Sequence, residues 1–205
     1  MLIVGLTGSI GMGKSTAAAF LRLRGVPVFD ADAEVHRLYA SGKAVERIER
    51  AFPGTTTQAG VDRTRLSAAI IAHPERLREL EAIVHPMVRE SERSFLRAEA
   101  RRGTSIAVLE IPLLFETNAN KLVDVVIVLS APAEIQRERL LNRVGMTKAK
   151  LDGLLARQMP DAEKRARADF VVDTGSGTAA SEAHLDKILA ELETWSGEAF
   201  AREWA

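Results

Sequence analysis

Two glycines, a lysine and a serine near the start of the sequence combine in a way that points to phosphate chemistry. The segment 8–15 satisfies the pattern G-x-x-x-x-G-K-[ST], which defines a phosphate-binding loop, or P-loop. Because glycine adopts backbone angles that other residues avoid, such a loop can turn successive N–H groups inward around an anion. We therefore expect a nucleoside triphosphate to bind here.

The residues of this loop have distinct expected tasks. Those predicted to hold the nucleotide are Gly8, Gly11, Met12, Gly13, Lys14, Ser15 and Thr16. Lys14 reaches the β- and γ-phosphates, and the Ser15 hydroxyl is a ligand for Mg²⁺. The alternative is a glycine-rich turn before an ordinary helix. The flanks favour the P-loop, because the apolar run 2–6 has the length of a buried strand and an apolar helix follows from Ala17.

Two carboxylates follow the second predicted strand. This strand spans residues 26–29, and Asp30 and Asp32 come directly after it. Ligands of an open parallel sheet bind beyond the carboxyl ends of its strands, so we expect both side chains to face the same crevice as the P-loop. Alternatively, one of them caps the next helix, which is a common use of aspartate. A catalytic or metal-binding role is predicted for at least one, and the sequence does not divide the tasks between them.

Residues 41–102 differ from the rest of the sequence because they follow a helical period and carry many arginines. Most of these arginines are expected on solvated helix faces. A few could bind an anionic substrate, since the guanidinium group matches phosphate geometry. The dipeptide His85-Pro86 predicts a helix start, with His85 able to contact substrate. Because the segment lies between the second and third strands, we predict a helical insertion that binds the second substrate.

Three further strands complete the predicted sheet. They span residues 105–111, 123–129 and 170–172. The fourth strand is rich in β-branched residues and almost uninterrupted, which is typical of a parallel strand buried on both faces. The sequence therefore predicts an α/β fold with a P-loop core, in which helices flank a five-stranded parallel sheet.

The basic stretch 137–168 is the predicted lid. It alternates basic helices with a turn at Gly145. A phosphoryl-transfer enzyme needs a cover that excludes water and brings cations to the transferred group. Arg143, or alternatively Arg139, fits this role because it lies near the end of a helix that precedes the turn. The competing interpretation is a surface helix with ion pairs four residues apart.

The composition excludes several classes of function. Lys plus Arg (28) equals Asp plus Glu (28), so the chain has no overall field that would hold nucleic acid or an anionic membrane. The absence of cysteine excludes disulfides, thiolate metal sites and cysteine nucleophiles. No apolar run has the length of a signal-peptide core or a membrane span. These features predict a cytoplasmic protein with neither nucleic-acid nor membrane partners.

Three classes of P-loop protein remain, namely a small-molecule kinase, a GTPase switch and an ATPase module. No aspartate begins the D-x-x-G motif of GTPases, and segment 120–124 has one residue too many for their N-K-x-D motif. An assembly ATPase usually ends its third strand in aspartate, whereas this strand ends around Glu110. The paired carboxylates, the insertion and the lid favour a P-loop kinase of a small acceptor. The acceptor of such a kinase could be a nucleoside monophosphate or another small metabolite. A further interpretation is a binding module that uses ATP only as a switch.

Several motifs occur in an order that is more specific than the P-loop alone. They are TGSIGMGKST at 7–16, VFDAD at 28–32, Asp62-Arg63 with Leu66, IVHP at 83–86, EIPLLFE at 110–116, Arg143 with Met146-Thr147, and Arg157-Gln158 ahead of Ala168-Asp169. In this combination the sequence resembles the dephospho-coenzyme A kinase family, from Leu2 to about Gly175. The resemblance implies ATP-dependent phosphorylation of the ribose 3′-hydroxyl of dephospho-CoA, the last step of coenzyme A synthesis.

The resemblance also implies the parts of the molecule and their residues. The parts are a P-loop kinase core (1–40, 103–136 and 169–205), a helical CoA-binding insertion (41–102) and a lid (137–168). The predicted catalytic residues are Asp32, Lys14 and Arg143. The predicted substrate-binding residues are Asp32, Arg63, His85, Pro112 and Leu113. The predicted metal ligands are Ser15 and Asp32, the latter directly or through water. ATP and Mg²⁺ are the expected cofactors, dephospho-CoA is the expected partner, and a monomer or weak homo-oligomer is the expected state.

Overall fold

The computed structural model describes all 205 residues and contains seven strands and nine α-helices. In chain order the strands are β1 (Leu2–Thr7), β2 (Val28–Asp30), β3 (Thr56–Thr57), β4 (Gly60–Val61), β5 (Ile106–Glu110), β6 (Val125–Ser130) and β7 (Phe170–Asp173). The helices are α1 (Lys14–Leu23), α2 (Ala31–Ala40), α3 (Lys43–Ala51), α4 (Arg63–Ala72), α5 (Leu77–Arg101), α6 (Ala133–Leu141), α7 (Lys148–Leu155), α8 (Asp161–Ala166) and α9 (Thr178–Leu192). None of the helices has the length and apolar character that a membrane crossing requires.

The chain divides into two compact units. The first contains residues 1–29 and 96–205, and the second contains residues 30–95. The second unit therefore starts earlier than the predicted insertion, which begins at residue 41, and ends earlier than residue 102. The reason lies in α2, because Val35 and Tyr39 pack against the apolar cluster of the second unit.

The first unit is built on the predicted five-stranded parallel sheet, in the order β2-β5-β1-β6-β7. Strand β1 is central, with Leu2 to Leu6 paired to 106–110 on one side and Val4 to Thr7 paired to 125–128 on the other. All six residues of β1 are buried, as expected for a strand covered on both faces. Leu2, Val4 and Leu6 belong to an apolar cluster that also contains residues of α1 and α9.

A short π-helical turn at Phe200–Trp204 closes the first unit and was not predicted from the sequence. Trp204 is only 1% exposed, and its indole N–H donates to the Leu122 carbonyl at 2.8 Å. The Asp124 carboxylate accepts hydrogen bonds from the backbone N–H groups of Ile3, Glu198 and Ala199. The last residues are thus tied to the start of β1 and to the segment before β6.

The second unit packs α2, α3, α4 and most of α5 around Ile48, Phe52, Leu66 and Val84. Strands β3 and β4 form a two-stranded antiparallel hairpin within it, in a segment for which the sequence predicted no strand. Such a short hairpin leaves too few residues for a recognisable alternating pattern.

The prediction that His85-Pro86 starts a helix is wrong, since Pro86 lies inside the 25-residue helix α5. Proline within a helix removes one backbone donor and costs about 3 kcal/mol. The apolar face nevertheless continues across the proline, because Leu80, Val84 and Val88 all join the cluster of the second unit. Their burial offsets the lost hydrogen bond and keeps the helix continuous.

Candidate active site

The loop between β1 and α1 has the backbone that the P-loop pattern predicts. Gly8, Gly11 and Gly13 have φ angles of 152°, 82° and 84°. A β-carbon at Gly8 would lie 2.5 Å from the Leu129 carbonyl oxygen, and one at Gly11 would lie 2.9 Å from the Leu140 side chain. Glycine is therefore required at both positions by conformation and by space.

The helix that follows starts directly at this loop. Lys14 is the first residue of α1, and Gly13 precedes it in a left-handed conformation without a side-chain cap. The first N–H groups of a helix have no intrahelical partner, so they are available to an anion. Ser15 and Thr16 are exposed in this first turn. Their hydroxyl groups are accessible, as contact with phosphate or a hard cation requires.

The Lys14 ammonium lies against the loop itself. Its Nζ donates to the carbonyl oxygens of Gly8 at 2.7 Å and Ser9 at 3.2 Å. Both carbonyls belong to the segment that wraps the predicted phosphate position. The lysine therefore brings its positive charge to the loop, as expected for a group that contacts the β- and γ-phosphates.

A cavity of 320 Å³ opens beside the loop. Gly13 and Thr16 line it from the loop and α1, Arg143 lines it from the segment after α6, and Thr178 and Glu182 line it from α9. Its volume falls in the range of small-ligand sites. Because it adjoins the phosphate-binding backbone, it can hold the remainder of a nucleotide.

The two arginines considered for the lid have different surroundings. Arg139 donates from Nη2 to the Thr174 carbonyl at 2.5 Å and from Nη1 to the Thr174 hydroxyl at 3.1 Å and the Gly11 carbonyl at 3.4 Å. The Thr174 hydroxyl in turn donates to the Met12 carbonyl at 3.2 Å. Arg139 thus braces the P-loop, whereas Arg143 is exposed at the same cavity. The contact between Arg139 and Thr174 was not predicted, because a threonine after a strand carries no motif.

The loop after β7 is held by its own aspartate. The Asp173 carboxylate accepts from the Ser176 hydroxyl at 2.6 Å and from the Gly175 N–H at 2.7 Å. These bonds, that of Ser176 first, lower the pKa of Asp173 below its ordinary value. The carboxylate therefore stays ionised near neutral pH and fixes the turn that precedes α9.

Pro112 and Leu113, predicted to bind substrate, lie just after β5. The Pro112 carbonyl accepts from the Thr7 hydroxyl at 3.2 Å and from Lys164 Nζ at 3.3 Å. Lys164 is fully buried and also pairs with Glu116 at 2.9 Å. Leu113 is 39% exposed and offers an apolar surface at this end of the sheet.

Burial and hydrogen bonding act in opposite directions on Glu116. Desolvation raises its pKa, but the bonds from Lys164 and from the Met159 N–H outweigh it, so the net shift is downward. Glu116 is therefore a carboxylate at neutral pH. It fixes the chain between α7 and α8 through the Met159 N–H, at 2.8 Å.

The remaining predicted site residues lie in the second unit. Asp30 caps α2, since its Oδ1 accepts from the Ala33 N–H at 2.9 Å. Asp32 is exposed in the first turn of the same helix. Arg63 begins α4 and contacts the His36 ring at 3.2 Å, and His85 is exposed on α5.

Comparison with known proteins identifies the family of this chain. A family model described as dephospho-CoA kinase matches residues 2–180. The chain belongs to this family. The resemblance seen in the sequence is thereby confirmed, and with it the assignment of the chain as a kinase.

Relatives of the family match the chain over most of its length. The dephospho-CoA kinase of Brucella melitensis is 57% identical over 194 residues, which are 95% of this chain and 94% of the relative. That of Mesorhizobium japonicum is 52% identical over 197 residues, or 96% of this chain and 100% of the relative.

Solved structures support the same fold. Dephospho-CoA kinase from Campylobacter jejuni matches with a TM-score of 0.70 at 25% identity, covering 93% of this chain and 96% of that one. Shikimate kinase from Acinetobacter baumannii matches with a TM-score of 0.53 at 18% identity, covering 93% and 94%. The predicted P-loop kinase core is therefore confirmed.

Proposed function

We propose that the chain transfers the γ-phosphoryl group of ATP to the ribose 3′-hydroxyl of dephospho-CoA, giving CoA and ADP. The observation that carries the proposal is the family match over residues 2–180, which includes the P-loop and its lysine. ATP is the phosphoryl donor because dephospho-CoA kinases are ATP-using enzymes. The P-loop accounts for the donor side, and the second unit is the proposed acceptor side.

On the donor side, backbone N–H groups from Gly11 to Thr16 hold the triphosphate. Lys14 exchanges its contacts with the loop carbonyls for contacts with the β- and γ-phosphates. The base and ribose of ATP occupy the cavity between α1, α9 and Arg143. Because phosphoryl transfer passes through a loose transition state, positioning and charge neutralisation contribute more than strong base chemistry.

Magnesium fits the oxygen donors of this site. The exposed Ser15 hydroxyl is a hard ligand next to the phosphate-binding backbone, and Asp32 is the proposed second contact, directly or through water. When bound, the ion neutralises charge on the phosphate oxygens. Removal of Mg²⁺ with a chelator should therefore abolish turnover and leave the fold intact.

On the acceptor side, Asp32 orients the 3′-hydroxyl and accepts its proton. Arg63, His85, Pro112 and Leu113 are the proposed contacts of dephospho-CoA. Arg143 stabilises charge on the transferred group from the lid region 137–168. The proposal includes a cytoplasmic location and a monomer or weak homo-oligomer, the latter testable by light scattering during size-exclusion chromatography.

The deciding experiment measures ADP formation by purified protein with ATP and Mg²⁺. Dephospho-CoA is compared with a panel of nucleoside monophosphates and other small metabolites. Among these acceptors, we expect only dephospho-CoA to give rapid ADP release, with CoA as the second product. Stimulation by a nucleoside monophosphate instead would identify a different acceptor, and ATP binding without turnover on any acceptor would identify a switched binding module.

A further inference from the structure

Two glutamine side chains bind the backbone of Ile10 in the middle of the P-loop, one at its N–H and the other at its carbonyl. The Ile10 N–H donates to Gln158 Oε1 at 2.9 Å. Gln136 Nε2 donates to the Ile10 carbonyl at 2.7 Å. These are two of the three glutamines in the chain, and both come from the helical region 133–160 rather than from the loop's own neighbourhood in sequence.

The orientation of the two amide groups follows from their partners. A backbone nitrogen only donates and a carbonyl oxygen only accepts, so Gln158 must present oxygen and Gln136 must present nitrogen. Gln136 is 6% exposed on α6. Water therefore has little access with which to replace its bond.

Gln158 itself is held at a fixed position. The next residue, Met159, donates its N–H to Glu116 Oε1 at 2.8 Å. Glu116 pairs with the fully buried Lys164, which also donates to the Pro112 carbonyl. The side chain that receives the Ile10 N–H thus extends from a segment anchored beyond the end of β5.

The Ile10 N–H belongs to the peptide group shared with Ser9, and the Ile10 carbonyl belongs to the peptide group shared with Gly11. The orientation of these two groups matters because a phosphate-binding loop works through the directions of its N–H groups. Rotation of one peptide plane turns an N–H out of the loop or a carbonyl oxygen into it. In each of the two peptide groups, one side-chain hydrogen bond opposes that rotation. Neither glutamine lines the cavity described above, so neither contacts the nucleotide from it.

We propose that Gln136 and Gln158 are positioning residues that fix the two peptide groups on either side of Ile10 and thereby preorganise the P-loop for ATP. The inference rests on the proposed function only in taking ATP as the ligand. It goes beyond that function by assigning a role to two residues outside the P-loop, the catalytic residues and the substrate contacts.

The test exploits the opposite polarity of the two bonds. In Gln158→Glu the carboxylate still accepts from the Ile10 N–H, whereas in Gln136→Glu an ionised carboxylate faces the Ile10 carbonyl and cannot donate. Both variants add one negative charge beside the backbone of Ile10, so comparing them separates the loss of a hydrogen bond from the added charge. Gln58→Glu, in the exposed turn between β3 and β4, controls for charge alone.

We expect Gln136→Glu to weaken ATP binding at pH 8 by roughly 10-fold more than Gln158→Glu, the scale of one lost buried bond. The readout is the ATP dissociation constant, measured by calorimetry without acceptor. Lowering the pH protonates the introduced carboxyl group of Gln136→Glu and gives it an O–H donor. Its affinity should then recover towards that of the unaltered chain, while Gln158→Glu shows no recovery.

Gln136→Met and Gln158→Met remove each bond without adding charge, and both should weaken ATP binding. Hydrogen exchange at the Ile10 amide should accelerate in Gln158→Met and stay slow in Gln158→Glu. Equal affinities for both Glu variants at every pH, together with Met variants that match the unaltered chain, would overturn the inference. Failure to phosphorylate dephospho-CoA would contradict only the proposed function, because ATP affinity is measured without it.

Discussion

Asp30 and Asp32 are separated by one residue, yet their surroundings differ. The Asp30 carboxylate is engaged by the Ala33 N–H at the start of α2, a capping contact that asparagine can also make. Asp32 points from the first turn as an exposed carboxylate. The structure therefore assigns the cap to Asp30, and Asp32 is the proposed catalytic group.

This difference gives a matched pair of substitutions. Asp32→Asn should lower turnover about 10²–10⁴-fold, the usual effect of losing a general base. Asp30→Asn preserves the helix cap and should leave turnover within about threefold of the unaltered enzyme, since asparagine caps as well as aspartate. Steady-state assays with dephospho-CoA decide the matter, and near-normal turnover of Asp32→Asn would remove Asp32 from the mechanism.

Lys14 offers a second test, because its ammonium already contacts the phosphate-binding loop. Lys14→Ala should reduce turnover roughly 100-fold or more, as expected when a preorganised charge is removed from a transition state. The control is Lys187→Ala, which removes an equivalent charge from an exposed position on α9. An equal effect of the two substitutions would mean that only overall charge matters.

The end of α6 and the turn after it place two arginines at one cavity with different tasks. Arg139 braces Thr174 and Gly11, so Arg139→Ala should lower both the melting temperature and ATP affinity. Arg143 is exposed, so Arg143→Ala should leave the melting temperature unchanged and reduce turnover more than ATP affinity. Thermal unfolding and ATP titration of both variants test this contrast. A loss confined to affinity in Arg143→Ala would make Arg143 a binding residue only.

Helix α5 contains a buried carboxyl group whose ionisation opposes folding at high pH. Burial raises the pKa of Glu92 to about 7, and its bond with Arg89 only partly counteracts this. Since this pKa lies above the unfolded value of 4.5, the folded protein binds the extra proton, and stability falls as the pH rises from about 4.5 to 7.

Glu92→Gln should therefore stabilise the protein at pH 8 by up to about 3 kcal/mol, at about 1.4 kcal/mol for each unit of pKa, and by much less near pH 4.5. Urea unfolding at both pH values measures the difference. Glu90→Gln is the control, because Glu90 pairs with Arg93 at the same helical spacing but is 65% exposed. A stabilisation independent of pH would contradict the assigned role of Glu92.

The packing of the first unit depends on its last residues as well as on its sheet. Trp204 is 1% exposed, whereas Trp195 is 43% exposed and meets the Phe170 ring at 5.8 Å. Trp204→Ala should cost about 3–5 kcal/mol, the usual effect of deleting a buried tryptophan. Trp195→Ala should cost only about 1 kcal/mol. Chemical denaturation of both variants checks the order, and equal losses would contradict the anchoring role of Trp204.

The sequence predicted those features that have a local physical signature. The P-loop and the five strands of the parallel sheet are recognisable because glycine spacing and continuous apolar runs reflect local backbone requirements. The continuity of α5 across Pro86 could not be predicted in this way, because burial of Leu80 and Val88 outweighs a local preference.

The support around the candidate site was even less accessible to sequence analysis. Arg139 meets Thr174 across 35 residues, and Gln136 meets Ile10 across 126 residues. Polar side chains without a motif acquire such contacts only when the fold brings distant segments together. The P-loop residues could therefore be predicted from a motif, whereas the side chains that support the loop could not.

The Asp124 carboxylate binds segments near the start and near the end of the sequence, since it accepts hydrogen bonds from the N–H groups of Ile3, Glu198 and Ala199. These contacts lie at the amino end of β1, whereas the P-loop starts after its sixth residue, about 20 Å further along. Peptide attached to either terminus therefore leaves the molecule on the side away from the phosphate-binding loop. A reporter or an immobilisation tag attached next to either of these segments is therefore expected to leave the phosphate-binding loop accessible.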